Sequence, residues 1–166
     1  MRIVLDADVI IHFSKAGYLS LLPGILPEYD FIVLNIVYEE IHTVREQLDN
    51  QIHFLKNIKL ETFPSDFNMM REYANLTRTF GRGESACMAY CRFSNNVIGS
   101  SNLRDITAYC QANDITYLTT LDFLSIAYQR GKMTADECQA FIQSVNNQGS
   151  KLPPADITTY VCTKSV

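Results

Sequence analysis

The strongest constraint on this chain is a recurring alternation between short apolar runs and helix-length stretches. Ile3-Val4-Leu5, Phe31–Leu34, Val97–Gly99 and Ile115–Leu118 are too short for a buried helix, and Ile58–Phe63 is a further strand candidate in which Leu60 and Thr62 alternate against Lys59 and Glu61. An unbroken apolar run of this length suits a strand buried on both faces rather than one with a wet side. Strands separated by helical sequence form βαβ units, so the expected class is α/β with a mostly parallel sheet covered on both faces.

The first run also sets where chemistry can sit. It breaks directly onto Asp6 and Asp8, and ligand sites in such sheets lie outside the carboxyl ends of the strands. Asp6 remains attached to the strand. Asp8 has two readings, a site residue or the cap of a helix starting near Val9.

Further along, Val9–Phe13 continues a helix towards Gly17, and Tyr18–Leu26, broken by Pro23-Gly24 and Pro27, reads as a short helix and turn. Asn35 is expected to cap a helix holding Tyr38, Glu39, Glu40 and Ile41. Early glutamates also suit the positive end of a helix dipole, so one of the two needs no other purpose. Pro64-Ser65-Asp66 opens a helix expected to reach Phe80, with Phe67, Met70, Tyr73, Ala74 and Thr77 as its core face. Gly81-Arg82-Gly83-Glu84 is a tight turn into a helix ending about Phe93, and it lacks the strand and Gly-Lys-Ser/Thr of a phosphate loop.

Asn102 with Asp105 resembles an N-cap and its capping-box acid, opening a helix through Gln111. Thr119–Asp122 leads into a helix ending at Gly131, where Asp122 reads as a cap in preference to a ligand. Thr134–Val145 forms the last helix. Residues 1–145 make one domain; 146–166 form a loop and a tail whose Ile157–Val161 is either an edge strand or a docking segment.

Bulk properties exclude some classes. A net charge of −4 and a pI near 5.3 argue against a broad basic face for nucleic acid, though a metal can neutralise a local acidic pocket. No run is long enough to span a membrane, and the immediate first strand leaves no room for a secretory signal. The 5 cysteines, an odd number, suggest free thiols in a reducing cytoplasm. Cys87 and Cys91 lack partners for a zinc set and read as buried; His12, His42 and His53 form no cluster.

Asp6, Glu40, Glu84 and the Asn102/Asp105 pair each fall at a strand end or early in a helix. Converging on one edge they would form an acidic cup, which like-charge repulsion makes costly without a hard cation. Carboxylate oxygens select Mg²⁺ or Mn²⁺, ions able to activate water for phosphodiester displacement. No Ser-His-Asp or Cys-His set competes with that reading.

In order, Ile-Val-Leu-Asp-Ala-Asp, Val-Tyr-Glu-Glu-Ile, Gly-Arg-Gly-Glu-Ser-Ala and Ile-Gly-Ser-Ser-Asn-Leu-Arg-Asp resemble a PIN-domain protein over residues 1 to about 131. Within that superfamily the chain is similar to small bacterial toxin-type ribonucleases. The resemblance implies a three-layer α/β/α sandwich around a five-stranded parallel sheet. It further implies a Mg²⁺- or Mn²⁺-dependent endoribonuclease, a homodimer and an antitoxin partner in the cytoplasm. By position, Asp6, Glu40 and Glu84 match the first three acids. Asn102 stands where many relatives carry Asp, so Asp105 is the expected fourth acid, with Asp8, Asn102 and Asp122 as supporting residues or alternative ligands. The competing readings are a catalytically weakened PIN-like module that binds RNA or protein, and a phosphatase or DNA nuclease with the same metal logic.

Overall fold

The first apolar run becomes the central strand. In the computed structural model, which describes residues 1–166, β1 (Arg2–Leu5) lies between β2 (Asp30–Leu34) and β4 (Val97–Gly99), with β3 (Lys59–Glu61) and β5 (Tyr117–Leu118) at the edges. The order β3-β2-β1-β4-β5 is parallel at every pairing, which sharpens the expectation of a mostly parallel sheet. Ile3, Val4 and Leu5 are fully buried, as a strand covered on both faces requires. Leu5 lies opposite Gly99 in the register, and a Cβ at Gly99 would stand 3.0 Å from the Leu5 side chain. Any larger residue there would force the Leu5 side chain to shift.

Two helical layers cover the sheet. One contains α3 (Asn35–Glu40), α5 (Phe67–Leu76), α6 (Arg82–Ser94) and α7 (Leu103–Ala112), centred on α6, which touches β1, β2 and β4. The other contains α1 (Ala7–Lys15), α2 (Leu22–Ile25), α8 (Thr120–Gln129) and α9 (Ala135–Asn147). Phe13 joins this layer through edge-on contacts with Phe141 and Phe123, at centroid separations of 4.8 and 6.1 Å. Four cysteines, Cys87, Cys91, Cys110 and Cys138, are buried as free thiols. No helix is long and apolar enough to cross a membrane.

Several local expectations change. Asp6, not Asp8, caps α1, and the helix starts at Ala7. Leu34 stands at the cap position of α3, while the Asn35 side chain instead accepts from Phe63 N at 2.8 Å and ties β3's exit to the helix. Residues 45–55 form α4 (Arg45–Asp49) continued by a π-helical segment (Asn50–Leu55), where the sequence suggested no element. Helix α5 stops at Leu76, and its expected core residues Phe67, Met70 and Ala74 are exposed. Tyr73 packs inward as expected, joined by Met69 and Leu76.

The tail is docked, without a strand at 157–161. Leu152 and Ile157 enter the core cluster, and Ser125 Oγ donates to Tyr160 O at 3.0 Å.

Candidate acidic site

Topology places the site before any side chain is considered. The chain runs outward from β1 to β2 and β3, then returns to the other side of β1 as β4, so the direction of winding reverses between β1 and β4. A crevice opens at such a switch point, beyond the carboxyl ends of the two strands. Asp6 directly follows β1, and Ser100-Ser101-Asn102 directly follow β4.

Asp6 is 4% exposed and held from two sides. Its Oδ1 accepts from Ala7 N at 2.8 Å, and its Oδ2 accepts from Ser100 Oγ at 3.2 Å. Asp8, in the first turn of α1, accepts from Val9 N at 2.6 Å and from Ser101 N at 2.8 Å. Glu40 ends α3 and reaches across to α6, where Oε1 accepts from Gly83 N at 3.0 Å. A Cβ on Gly83 would collide with that same carboxylate, so the second glycine of Gly81-Arg82-Gly83 is required for the approach. Glu84 enters from the first turn of α6.

Asn102 completes the ring in an unexpected way. Its side chain makes no cap bond to α7. The amide Nδ2 instead donates to Glu84 Oε1 and, at 2.8 Å, to Asp105 Oδ2. The capping box expected of Asn102 and Asp105 is thus replaced by an amide shared between two carboxylates.

Asp6, Ala7, Asp8, Glu40, Gly81, Gly83, Glu84 and Asn102 line one cleft of about 320 Å³. Of the residues singled out from sequence, Asp6, Asp8, Glu40, Glu84 and Asn102 are brought together there, while Asp105 stands behind Asn102. Asp122 lies apart, in a capping box with Thr119 and an ion pair with Lys164 at 3.0 Å. Ser100 and Ser101 were not singled out from the sequence; their position directly after a buried strand was the available signal. A larger cavity, about 370 Å³, is lined in part by Arg92, Asn95, Asp114 and Thr116, and holds none of the acids singled out from the sequence.

The electrostatics of the cleft are unfavourable to ionised acids. Burial, then the neighbouring charges of Asp8 and Glu84, push Asp6 well above the usual carboxylate range. Burial pushes Asp8 up to about 6 despite the backbone bonds from Ser101 and Val9. Glu84 is also raised, by burial first and by Asp105 and Asp8, with the Asn102 bond opposing. No lysine or arginine lines the cleft.

These residues suit a hard cation in kind, since every ligating side chain in the cleft offers oxygen. The side chains as placed do not gather three His, Cys, Asp or Glu groups around a single point. The cleft is therefore a chemically matched but open arrangement, in which an ion with several retained waters would fit better than a closed protein cage.

No protein-family model and no curated protein sequence matches the chain. Among solved structures it is similar to a chain of VapBC-1 from nontypeable Haemophilus influenzae, at 16% identity and a TM-score of 0.51, covering 72% of this chain and 98% of that one. At that identity the likeness is one of fold. Together with the all-parallel five-stranded sheet flanked by helices, it makes the architecture PIN-like.

Proposed function

We propose that the protein is a Mg²⁺- or Mn²⁺-dependent endoribonuclease working as the toxin of a toxin–antitoxin pair. The observation that carries the reading is four carboxylates, Asp6, Asp8, Glu40 and Glu84, lining one cation-free cleft at the topological switch point. A buried Asp6 beside the charges of Asp8 and Glu84 is a poor choice for stability and a good one for binding a divalent ion. The PIN-like fold and the resemblance of the four sequence motifs supply the RNA substrate and the antitoxin and homodimer as expected partners.

Acids of this set would hold the ion, with retained waters completing its shell, and when bound it would supply Lewis acidity and an activated water for phosphodiester hydrolysis. The chain's own part is positioning. Ser100 and the first amide of α1 fix Asp6, the Gly83 amide aims Glu40, and Asn102 holds Glu84. Asp105 acts through Asn102 in this arrangement, with Asp8 as the fourth carboxylate of the cleft.

Cleavage of a mixed RNA panel in Mn²⁺ or Mg²⁺ tests the reading. Cutting should vanish with EDTA and fall at least a hundredfold in Asp6→Asn, on the scale of losing a group needed in the transition state. Activity surviving both would overturn the mechanism. The second reading, a weakened PIN-like binding module, is favoured by Asn102, an amide already engaged with two acids. RNA binding without metal-dependent cutting would select it.

A further inference from the structure

Behind the cleft lies a polar chain that the four acids do not account for. His12 of α1 and Thr120 at the start of α8 are 7% and 0% exposed, and Thr120 meets the loop that follows β4. Thr120 Oγ1 lies 2.9 Å from His12 Nδ1, and Ser101 Oγ lies 2.8 Å from Thr120 Oγ1. Thr120 N donates to Ser101 Oγ at 2.8 Å, and Ser101 N donates to Asp8 Oδ2 at 2.8 Å.

One order of hydrogens satisfies every contact in this chain. Ser101 Oγ receives the Thr120 amide proton and passes its own hydroxyl proton to Thr120 Oγ1. Thr120 then donates its hydroxyl to His12 Nδ1, in the neutral tautomer that leaves this nitrogen free to accept. Burial and Lys15 lower His12 to about 4, which keeps the ring neutral at physiological pH. Each donor is used once, and the chain ends in the cleft, on Asp8.

Burying a histidine and a threonine hydroxyl in the core is costly unless every polar atom is matched, and an apolar pair would fill the space more simply. We infer that His12, Thr120 and Ser101 form a brace that positions the post-β4 loop and, through the Ser101 amide, sets the Asp8 carboxylate in the cleft. Ser100 and Asn102 flank the braced residue and hold Asp6 and Glu84. One anchor therefore serves three of the four acids. This inference rests on the nuclease reading for its consequence in catalysis, but the brace itself is a property of the metal-free protein.

Thr120→Val removes the bridging hydroxyl at nearly constant volume and leaves the Thr120 amide in place. In metal-free protein, amide exchange at Ser101 should quicken at least tenfold against unchanged exchange in β1. Mn²⁺ affinity should fall about tenfold, in the range found for partners that orient metal ligands. Thr120→Ser should restore both. His12→Asn, whose amide oxygen can take the Nδ1 position, should retain more Mn²⁺ affinity than His12→Leu. Unchanged Ser101 exchange in folded Thr120→Val overturns the brace, as does an equal loss in Thr120→Ser. Faster Ser101 exchange in a protein that never cuts RNA supports the brace and overturns only the nuclease reading.

Discussion

Asp6 and Asp122 make a natural pair for comparison. Both are buried, both lie just beyond a strand's carboxyl end, and both help open a helix. Their surroundings differ. Asp122 accepts from Thr119 N and Thr119 Oγ1, from Tyr160 OH and from Lys164, and the net result is a carboxyl held below its ordinary range against the cost of burial. Asp6 has one amide and one hydroxyl, faces two like charges, and is pushed up. A carboxylate with its own cation is complete as part of the fold. One surrounded by other acids is complete only with something that the chain does not supply.

The largest effect expected from breaking this comparison is on the satisfied side. Asp122→Ala removes a capping acid and strands Lys164 and Tyr160 of the tail. A cap contributes about 1 kcal/mol and a broken buried pair up to about 3–5, so a loss of about 3 kcal/mol is expected, discounted for the partly exposed lysine. For a domain of this size that lowers the melting temperature by roughly 6–12 °C. Mn²⁺ affinity measured well below the transition should stay within about twofold. A large fall in affinity with little change in melting would make Asp122 part of the site.

The unsatisfied side predicts the opposite sign. Asp8 is held near 6 in the folded protein against an ordinary 3.8, so the native state binds its proton more tightly than the unfolded chain does. Its contribution to stability is complete below the ordinary value and is lost as pH rises through about 6. Metal-free protein should therefore become more stable between pH 6 and pH 4 as this group protonates, before other carboxylates reverse the trend. The ceiling is about 3 kcal/mol for a shift of that size. Asp8→Asn should flatten this part of the profile and stabilise the EDTA-treated protein at pH 7 by about 1–2 kcal/mol, less than the ceiling because an amide serves the Ser101 N–H more weakly. Melting curves against pH would decide it, and a destabilised Asp8→Asn would contradict the strain assigned to the cleft.

The sequence exposes the two sides unequally. Asp6 was readable because a buried strand forces its end residue to the sheet edge, and Glu84 because the Gly-x-Gly pair marks a helix start, with Gly81 at the cap and Gly83 already in the first turn. The phase of a helix is harder to read than its existence. In α5 the expected face shares Tyr73 with the observed one, but Phe67, Met70 and Ala74 have the same period as Met69 and Leu76, and only packing against α6 chooses between them. The π-helical segment at 50–55 departs from the 3.6-residue repeat, so its pattern gives no helical signal. Longer-range partnerships leave no local trace: His12 finds Thr120 across 108 residues and Asn102 finds Glu84 across 18. The identity of Asn102 was visible, but its use was not.

That use sets the smallest and most discriminating prediction. The Asn102 amide donates to Glu84 and Asp105, so it partly offsets two negative charges in the absence of any ion. Asn102→Asp exchanges two donated bonds for a third like charge, and should cost the metal-free protein about 1 kcal/mol, more at low salt than at high. The added carboxylate supplies another hard oxygen and one more negative charge, so Mn²⁺ affinity should rise about tenfold, and saturating Mn²⁺ should raise the melting temperature more in the variant than in wild type. If Asn102→Asp is instead as stable as wild type without metal, the amide is not offsetting the charge of Glu84 and Asp105. If it is less stable and gains no affinity, Asn102 belongs with Asp122 among residues that complete the fold, and the cleft's fourth corner is already filled by Asp8.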